Sequence, residues 1–388
     1  MPVTRLKPSW PNSTAAQAPR ERAQMNILHA IETSGPGGAE NFMLRLVQSQ
    51  KAEGHQCRVL VIKPGWLTAQ LERLNIDYDL IPLPRSLSAQ WLLTVRRLMK
   101  TYRIDVVHTN EFAMNMHLAL VARSLGVPHI ATVHGKNYYT EKSVRRFFMR
   151  LTARLSTLVA VSHDIKSFLA TDADIPASRV VVIENGIDVS SYKPDPKVRA
   201  RYRAELGVAD DEHMILAVGN LYPVKGHIHL IEAAARLARN GARIKVFIAG
   251  RGKEEHSLQS RIDSLGLQAQ CTLLGFRDDA RELLWACDIF AMPSLSEGLP
   301  LSILESLAAE RPVVASAVGG IPQVLTDGHT GLLVPAGNPK ALAEALDKLI
   351  RNSELRTALS NHGLSLLAER YDAALMAKRY AELYQRKV

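Results

Sequence analysis

Short apolar runs alternate with longer segments of mixed polarity along nearly the whole chain. In the first half, residues 27–31, 59–62, 106–108, 130–133, 158–161 and 180–183 are rich in Val, Ile and Leu. Continuous rather than alternating apolar runs are the mark of strands buried on both faces of a parallel sheet. Helix-length segments, 39–53, 91–102, 114–125 and 144–155, lie between them. The second half repeats the scheme, with strands predicted at 215–218, 246–249, 272–274, 289–292, 313–315 and 332–334. This alternation predicts α/β doubly wound sheets with helices on both faces, whose ligands sit beyond the carboxyl ends of the strands.

The pattern breaks between about residues 190 and 211, at Tyr192-Lys193-Pro194-Asp195-Pro196 and Ala209-Asp210-Asp211-Glu212. A chain of 388 residues exceeds what one core ordinarily supports, so the break reads as a domain boundary. The expected organisation is a disordered leader (1–24), a first domain (25–195), a second domain (196–370) and a terminal helix (371–388).

Composition narrows the class. With 47% hydrophobic and 22% charged residues, and no apolar run near the 18 or so that span a bilayer, the chain reads as globular. The leader lacks the apolar stretch of a secretory signal. Cys57, Cys271 and Cys287 are far apart, which suggests neither a zinc site nor a disulfide framework and fits reduced cytoplasmic thiols. Residues 1–200 carry 26 Lys+Arg against 16 Asp+Glu, and the remainder 22 of each, so the whole net charge of +10 belongs to the first half. That asymmetry suits an anionic partner. Nucleic acid is disfavoured, because no recognition signature accompanies the charge.

The most informative stretch is Pro293-Ser-Leu-Ser-Glu-Gly-Leu-Pro-Leu-Ser-Ile-Leu-Glu305. Pro300 suits the first position of a helix, where its missing N–H is unpaired anyway. The amides around Gly298 and Leu299 then point out of a helix N-terminus, a seat for a diphosphate. Wound as a helix, the run places Leu301, Ile303, Leu304 and Leu307 on one arc, and Ser302, Glu305, Ser306 and Ala309 on the other. Glu305 is thereby expected to face whatever Glu297 faces. Two carboxylates at this spacing alone more often mark a solvated amphipathic helix; the surrounding Pro-Ser-x-x-Glu-Gly-Leu-Pro favours a ligand.

Other motifs follow predicted strands. Gly35-Pro36-Gly37-Gly38-Ala39-Glu40 is a glycine turn that lets backbone approach a ligand, but Glu40 at its end disfavours a dinucleotide fingerprint. His108 and His134 each sit where a buried strand runs out into a loop. Ser162 before His163 reads as a helix cap. Lys225, in Gly219-Asn220-Leu221-Tyr222-Pro223-Val224-Lys225-Gly226, can meet a diphosphate as a point charge. Asp77-x-Asp79 and Asp172-x-Asp174 occur at chance frequency and predict no metal. Lys142, Arg146, Arg150 and Arg154 recur every four residues opposite Val144, Phe147, Phe148, Leu151 and Leu155, a basic amphipathic helix that either packs on its own sheet or meets an anionic leaflet.

Together these motifs resemble the retaining glycosyltransferases of family four, over nearly the whole chain after residue 25. The resemblance implies the GT-B fold: two Rossmann-like domains facing across a cleft, with the last helix crossing back to the first domain. It implies that Glu297 lies beside the donor sugar and that Glu305 accepts hydrogen bonds from the ribose. Gly37 and Gly38 then meet the donor's phosphate and sugar, and His134, more than His108, the sugar. Lys225 neutralises the leaving diphosphate. The family's accompanying Arg is here Asn220, and Arg251 is the expected replacement cation. Phe276 and Arg277 hold the base, with Arg277 expected to stack on it. The element Val318-Gly319-Gly320-Ile321-Pro322-Gln323 matches with Gln323 in place of a Glu. The implied donor is a UDP-sugar, with a GDP-sugar as the alternative. The implied acceptor is a glycan or lipid-linked hydroxyl in polysaccharide, lipopolysaccharide or glycolipid biosynthesis, at the inner face of the cytoplasmic membrane, with no cofactor. An epimerase or phosphorylase of the same fold, or a degenerate nucleotide-sugar-binding protein, is the competing reading.

Overall fold

A computed structural model describes residues 24–84, 88–136 and 143–388. The expected leader and Lys142 lie outside the described residues, but for residue 24. Seven parallel strands form the first sheet: β1 (Asn26–Ile31), β2 (Gln56–Val61), β3 (Tyr78–Leu80), β4 (Val106–Asn110), β5 (His129–Val133), β6 (Thr157–Ala160) and β7 (Val180–Val182), in spatial order 3-2-1-4-5-6-7. Six more form the second: β8 (His213–Val218), β9 (Ile244–Ala249), β10 (Cys271–Gly275), β11 (Ile289–Met292), β12 (Val313–Ser316) and β13 (Leu332–Val334), in order 10-9-8-11-12-13. Each order reverses once, between β1 and β4 and between β8 and β11. At such reversals the crossover helices diverge and leave a crevice for ligand.

Strand β3 had no counterpart in the hydrophobic pattern. It is three residues long, half polar and at a sheet edge, so little apolar periodicity is required of it. Its Asp79 pairs with Arg58 of β2, and Asp77 lies 3.6 Å from the same guanidinium. This Asp-x-Asp is occupied by a structural cation.

Four helices bear on the site: α1 (Gly38–Ala52), α2 (Ser143–Leu155), α3 (Leu301–Ala308) and α4 (Ala373–Gln385). Helix α1 buries Phe42, Met43, Leu46 and Val47. Helix α4 crosses back to the first domain and packs on α1, burying Tyr380 and Tyr384 completely. A buried ring of this size stabilises by about 2 kcal/mol, and here the hydroxyls are also paired. The Tyr384 hydroxyl lies 2.5 Å from His108 Nδ1 and accepts from Gln50 Nε2 at 3.2 Å, while Tyr380 meets Thr132 Oγ1 at 3.2 Å.

The chain passes between domains twice, side by side. Ile187 donates to the Tyr371 carbonyl (2.8 Å) and accepts from Ala373 N–H (3.0 Å). A Cβ on Gly186 would stand 2.7 Å from the Asp372 carbonyl oxygen, so only glycine permits this approach. Glu184 holds Arg370 through two bonds of 2.6 and 3.0 Å beside the crossing.

Helix α2 turns a different face inward from the one its pattern predicts. Met149, Thr152 and Ala153 are buried, while Phe147 is 61% exposed. Arg150, placed with the solvated charges, bonds Asp174 Oδ2 (2.5 Å) and the Ala173 carbonyl (2.7 Å) of its own domain. The loop at 172–174 packs against the helix, and no sequence periodicity records a neighbour from another segment.

Candidate active site

Three loops of the second domain converge beyond β8, β9 and β11. Residues Pro223–Lys225 form a single 3-10 turn ended by Gly226 in the left-handed region (φ 62°). A Cβ there would lie 2.2 Å from the Pro293 carbonyl, so glycine lets the β8 loop rest on the β11 loop. Leu295 N–H seals the contact by donating to the Val224 carbonyl at 2.8 Å. This apposition delivers Lys225 to Glu297: Nζ lies 2.8 and 3.0 Å from the two carboxylate oxygens, and Ser294 Oγ donates to Oε1 at 2.6 Å. The carboxylate is largely buried (8% exposed) and the lysine 27% exposed, so the ammonium is the more open partner.

The β8 and β9 loops are pressed together by two further glycines. A Cβ on Gly250 would fall 1.9 Å from the Gly219 carbonyl oxygen, and one on Gly252 2.3 Å from that of Leu221. Leu221 N–H donates to the Arg251 carbonyl at 2.9 Å. Lys225 borders Gly219, and Arg251 follows the glycine packed on it. The Arg251 guanidinium lies 5.3 Å from the Phe276 ring centre and within 3.9 Å of the Cβ position of Gly35 in the opposite domain. Among the described residues it has no carboxylate partner, so its charge is directed into the cleft.

The first domain answers with the glycine turn and the ends of β4 and β5. Gly37 precedes α1, and the Glu40 side chain folds back to occupy the position of its missing Cβ, 2.5 Å from that point. Gly38 has nothing within 4 Å of its Cβ position and faces open space. His134 follows β5; its Nε2 lies 2.8 Å from Asn110 Oδ1 and its ring 4.9 Å from Phe42. Burial lowers its pKa to about 4, so the imidazole is neutral near pH 7. His108, the weaker candidate, is fully buried between Tyr384 and Thr132 and serves the docking of α4.

Glu111 follows the last residue of β4. It adopts φ 68° and ψ 161°, a region costly for a residue with a Cβ. Its Oε2 accepts from Thr33 N–H (2.9 Å) and Oγ1 (2.8 Å). Burial, then the neighbouring Glu40 charge, raise its pKa to about 7. The signal available in the sequence was its position just past the strand beside the crevice.

The Glu297–Glu305 segment departs from expectation in three respects. Pro300 is extended (ψ 123°) and caps α3, which starts one residue later. Ser306 and Ala309, assigned to the outer arc, are fully buried, because α3 is covered on both sides. Glu305 does not share a partner with Glu297: its Oε1 lies 2.5 Å from Arg45 Nη2 of α1. Arg45 and Tyr192, whose hydroxyl accepts from the same nitrogen at 3.1 Å, were not singled out in the sequence. No local pattern could mark them, since the partner is 260 residues away.

Gly298 and Leu299 form a tight interdomain contact. A Cβ on Gly298 would lie 2.0 Å from the His134 carbonyl oxygen, and Asn185 Nδ2 donates to the Leu299 carbonyl at 2.8 Å. Gly319 and Gly320 leave room for this backbone, their Cβ positions lying 1.9 and 2.0 Å from the Glu297 and Gly298 carbonyl oxygens. Gln323 reaches the other domain, its Oε1 accepting from His163 N–H at 3.0 Å, while Ser162 caps that helix through Ile165 N–H. Arg277 is forked onto Asp279, itself bonded by Tyr202 at 2.7 Å. It is therefore no mobile cation. Asn220 lies in the β8 loop beside Arg251.

Two doubly wound parallel-sheet domains with glycine turns at their strand ends have the architecture of the GT-B fold. Residues 36–191 match Glycosyltransferase Family 4 and residues 198–365 match Glycosyl transferases group 1. The chain belongs to the family-four glycosyltransferases. It is 30% identical over 365 residues to the phosphatidyl-myo-inositol mannosyltransferase of Mycobacterium leprae, covering 90% of this chain and 93% of that one. It is 27% identical over 377 residues to the α-D-kanosaminyltransferase of Streptomyces kanamyceticus, covering 88% and 97%. Anabaena HepE, solved with UDP-glucose, has the same fold, with a TM-score of 0.85 at 23% identity over 94% of this chain and 100% of that one.

Proposed function

We propose that this glycosyltransferase moves a sugar, with retention of configuration and without a metal, from a UDP-sugar to a hydroxyl of a lipid-linked or glycan acceptor. The observation that carries the reading is Lys225 against Gly219 in the second domain, with Arg251 reaching Gly35 of the glycine turn across from it. A departing diphosphate held there meets preorganised positive charge and the open backbone at Gly38, and stabilising charge as it develops is commonly the largest catalytic contribution. Arg251 supplies the charge that Asn220 lacks. Glu297, held by Lys225 and Ser294, orients the sugar with His134, and Glu305 takes the ribose. Phe276, 41% exposed under Arg251, offers a face to the base.

The acceptor class rests on two supports. One relative is a phosphatidyl-myo-inositol mannosyltransferase. On α2, the exposed Phe147 stands among Arg146 and Arg154, in the half of the chain that carries the excess positive charge. Each basic residue at an anionic leaflet contributes about 1 kcal/mol, enough in sum for reversible contact. Among the described residues no helix is long and apolar enough to cross a membrane.

A thermal-shift screen of UDP- and GDP-sugars, followed by transfer of radiolabelled sugar to membrane lipid extract and NMR of the product anomer, tests the reading. Ligand at a hundredfold its dissociation constant stabilises by about 2.7 kcal/mol. Absence of a shift with every nucleotide sugar refutes donor binding, and an inverted anomer refutes retention. Equal flotation of wild type and Phe147→Ala with anionic vesicles refutes membrane contact through α2.

A further inference from the structure

Arg45 lies two turns into α1, in the first domain, yet its guanidinium ends at α3 of the second. Nη2 is shared between Glu305 Oε1 (2.5 Å) and the Tyr192 hydroxyl (3.1 Å). Tyr192 is fixed in turn, since its carbonyl accepts from Trp285 Nε1 at 2.8 Å. Burial and the adjoining carboxylate push the Tyr192 pKa upward, so its hydroxyl stays protonated. Both bonds leave from Nη2, so Arg45 holds Glu305 through a single carboxylate oxygen, Oε1.

The other terminal nitrogen, Nη1, is buried and has no hydrogen-bond partner among the described residues. A buried cationic N–H left unpaired carries the full cost of its lost hydration. Side chains this constrained tolerate that cost where a ligand oxygen completes the set. An unpaired N–H on the guanidinium that holds the Glu305 carboxylate puts a donor next to an acceptor, the chemistry that suits two neighbouring hydroxyls.

We infer that Arg45 determines recognition of the donor's ribose, orienting Glu305 and offering Nη1–H to a hydroxyl oxygen of the same sugar. This rests on the reading of Glu305 as the ribose partner. The ribose subsite is then complete only when both domains contribute, so nucleotide binding and domain apposition are one event.

The test is calorimetric titration of the full chain with UDP and 2′-deoxy-UDP, or the guanosine pair if the thermal-shift screen selects it. Wild type, Arg45→Met, Arg45→Lys and Glu305→Gln are compared, with melting temperatures to confirm folding. Wild type is expected to prefer the ribonucleotide by about tenfold or more, the scale of a hydrogen bond to a charged group. Arg45→Met weakens UDP by a similar factor and brings the preference below about threefold. Arg45→Lys keeps the charge beside Glu305, recovers part of the UDP affinity and leaves the preference low, because an ammonium cannot fork. A loss of packing alone would weaken both nucleotides equally and leave the preference intact. Unchanged preference in Arg45→Met, or tighter UDP binding, overturns the inference. Unchanged binding in Glu305→Gln overturns instead the assignment of Glu305 to the ribose, and the inference with it.

Discussion

Substituting Gly298 by alanine isolates the contact between the domains from the stability of either. The added Cβ would stand 2.0 Å from the His134 carbonyl oxygen and 3.1 Å from its carbon. A carbon–oxygen contact settles near about 3.3 Å, so the two backbones must separate by roughly 1.3 Å. Gly298 does not occupy the left-handed region, and alanine meets no conformational objection of its own. Its obstacle is main chain that follows β5 in the other domain, which cannot turn aside as a flexible side chain can. The strain is relieved by parting the domains, which carries Glu297 and the α3 N-terminus away from His134 and the glycine turn. A 1 Å misplacement costs about a hundredfold in rate, so kcat/KM is expected to fall by about that factor while both cores stay packed and Tm moves by no more than about 2 °C. Steady-state transfer and differential scanning calorimetry on the same preparation check both halves. Wild-type turnover would refute the argument, as would a loss of Tm large enough to account for the lost activity.

Arg251→Ala should weaken donor binding by about tenfold or more, as loss of a charge-assisted contact does, and the added Asn220→Arg should restore it; titration with the donor's diphosphate decides, and failure of the double variant separates Arg251 from the phosphate role. Tyr384→Phe leaves His108 Nδ1 and Gln50 Nε2 without their buried partner and should cost about 1–3 kcal/mol in urea unfolding; an unchanged midpoint excludes a role for the hydroxyl. Burial depresses the pKa values of His29 and His134 to about 4 and of His129 to about 3, so the unfolded chain binds more protons from about pH 6.5 downward. Stability is therefore full above pH 6.5 and lost as pH falls toward 4, which Tm across that range measures. Glu111 acts in the opposite direction, favouring the folded state at low pH and losing that contribution as pH rises toward 7, so Glu111→Gln should steepen the loss of stability as pH falls through that range.

The sheets were legible because parallel strands buried on both faces must be apolar throughout, as at Val59-Leu60-Val61 and Val106-Val107. Loops at strand ends were legible where backbone geometry demands glycine: Gly226 and Gly319 each combine positive φ with a carbonyl less than 2.5 Å from the absent Cβ. What stayed hidden depends on partners distant in sequence. Ser306 looks exposed on a helical wheel, but it is completely buried, its hydroxyl turned back onto the Ser302 carbonyl. Arg45 looks like a solvated helix residue until Glu305 is brought to it. The inward face of α2 meets the helix at Phe112–Leu125, and Arg150 is drawn to the loop at 172–174, neighbours that no periodicity within α2 encodes.

Helix α4 belongs structurally to the domain whose strands are synthesised first. With the last strand of that domain ending at Val182 and the helix beginning at Ala373, translation at about 5–20 residues per second leaves an interval of roughly 10–40 s between them. Throughout that interval Phe42, His108, Gln50 and Thr132 lack the rings and hydroxyls of Tyr380 and Tyr384. The whole second domain is made and can fold while the first still waits. Loss of the segment from Tyr371 onward is thus equivalent to removing a piece of the first domain's core. A ribosome-associated chaperone that releases this chain early would leave a folded donor domain tethered to an unfinished partner.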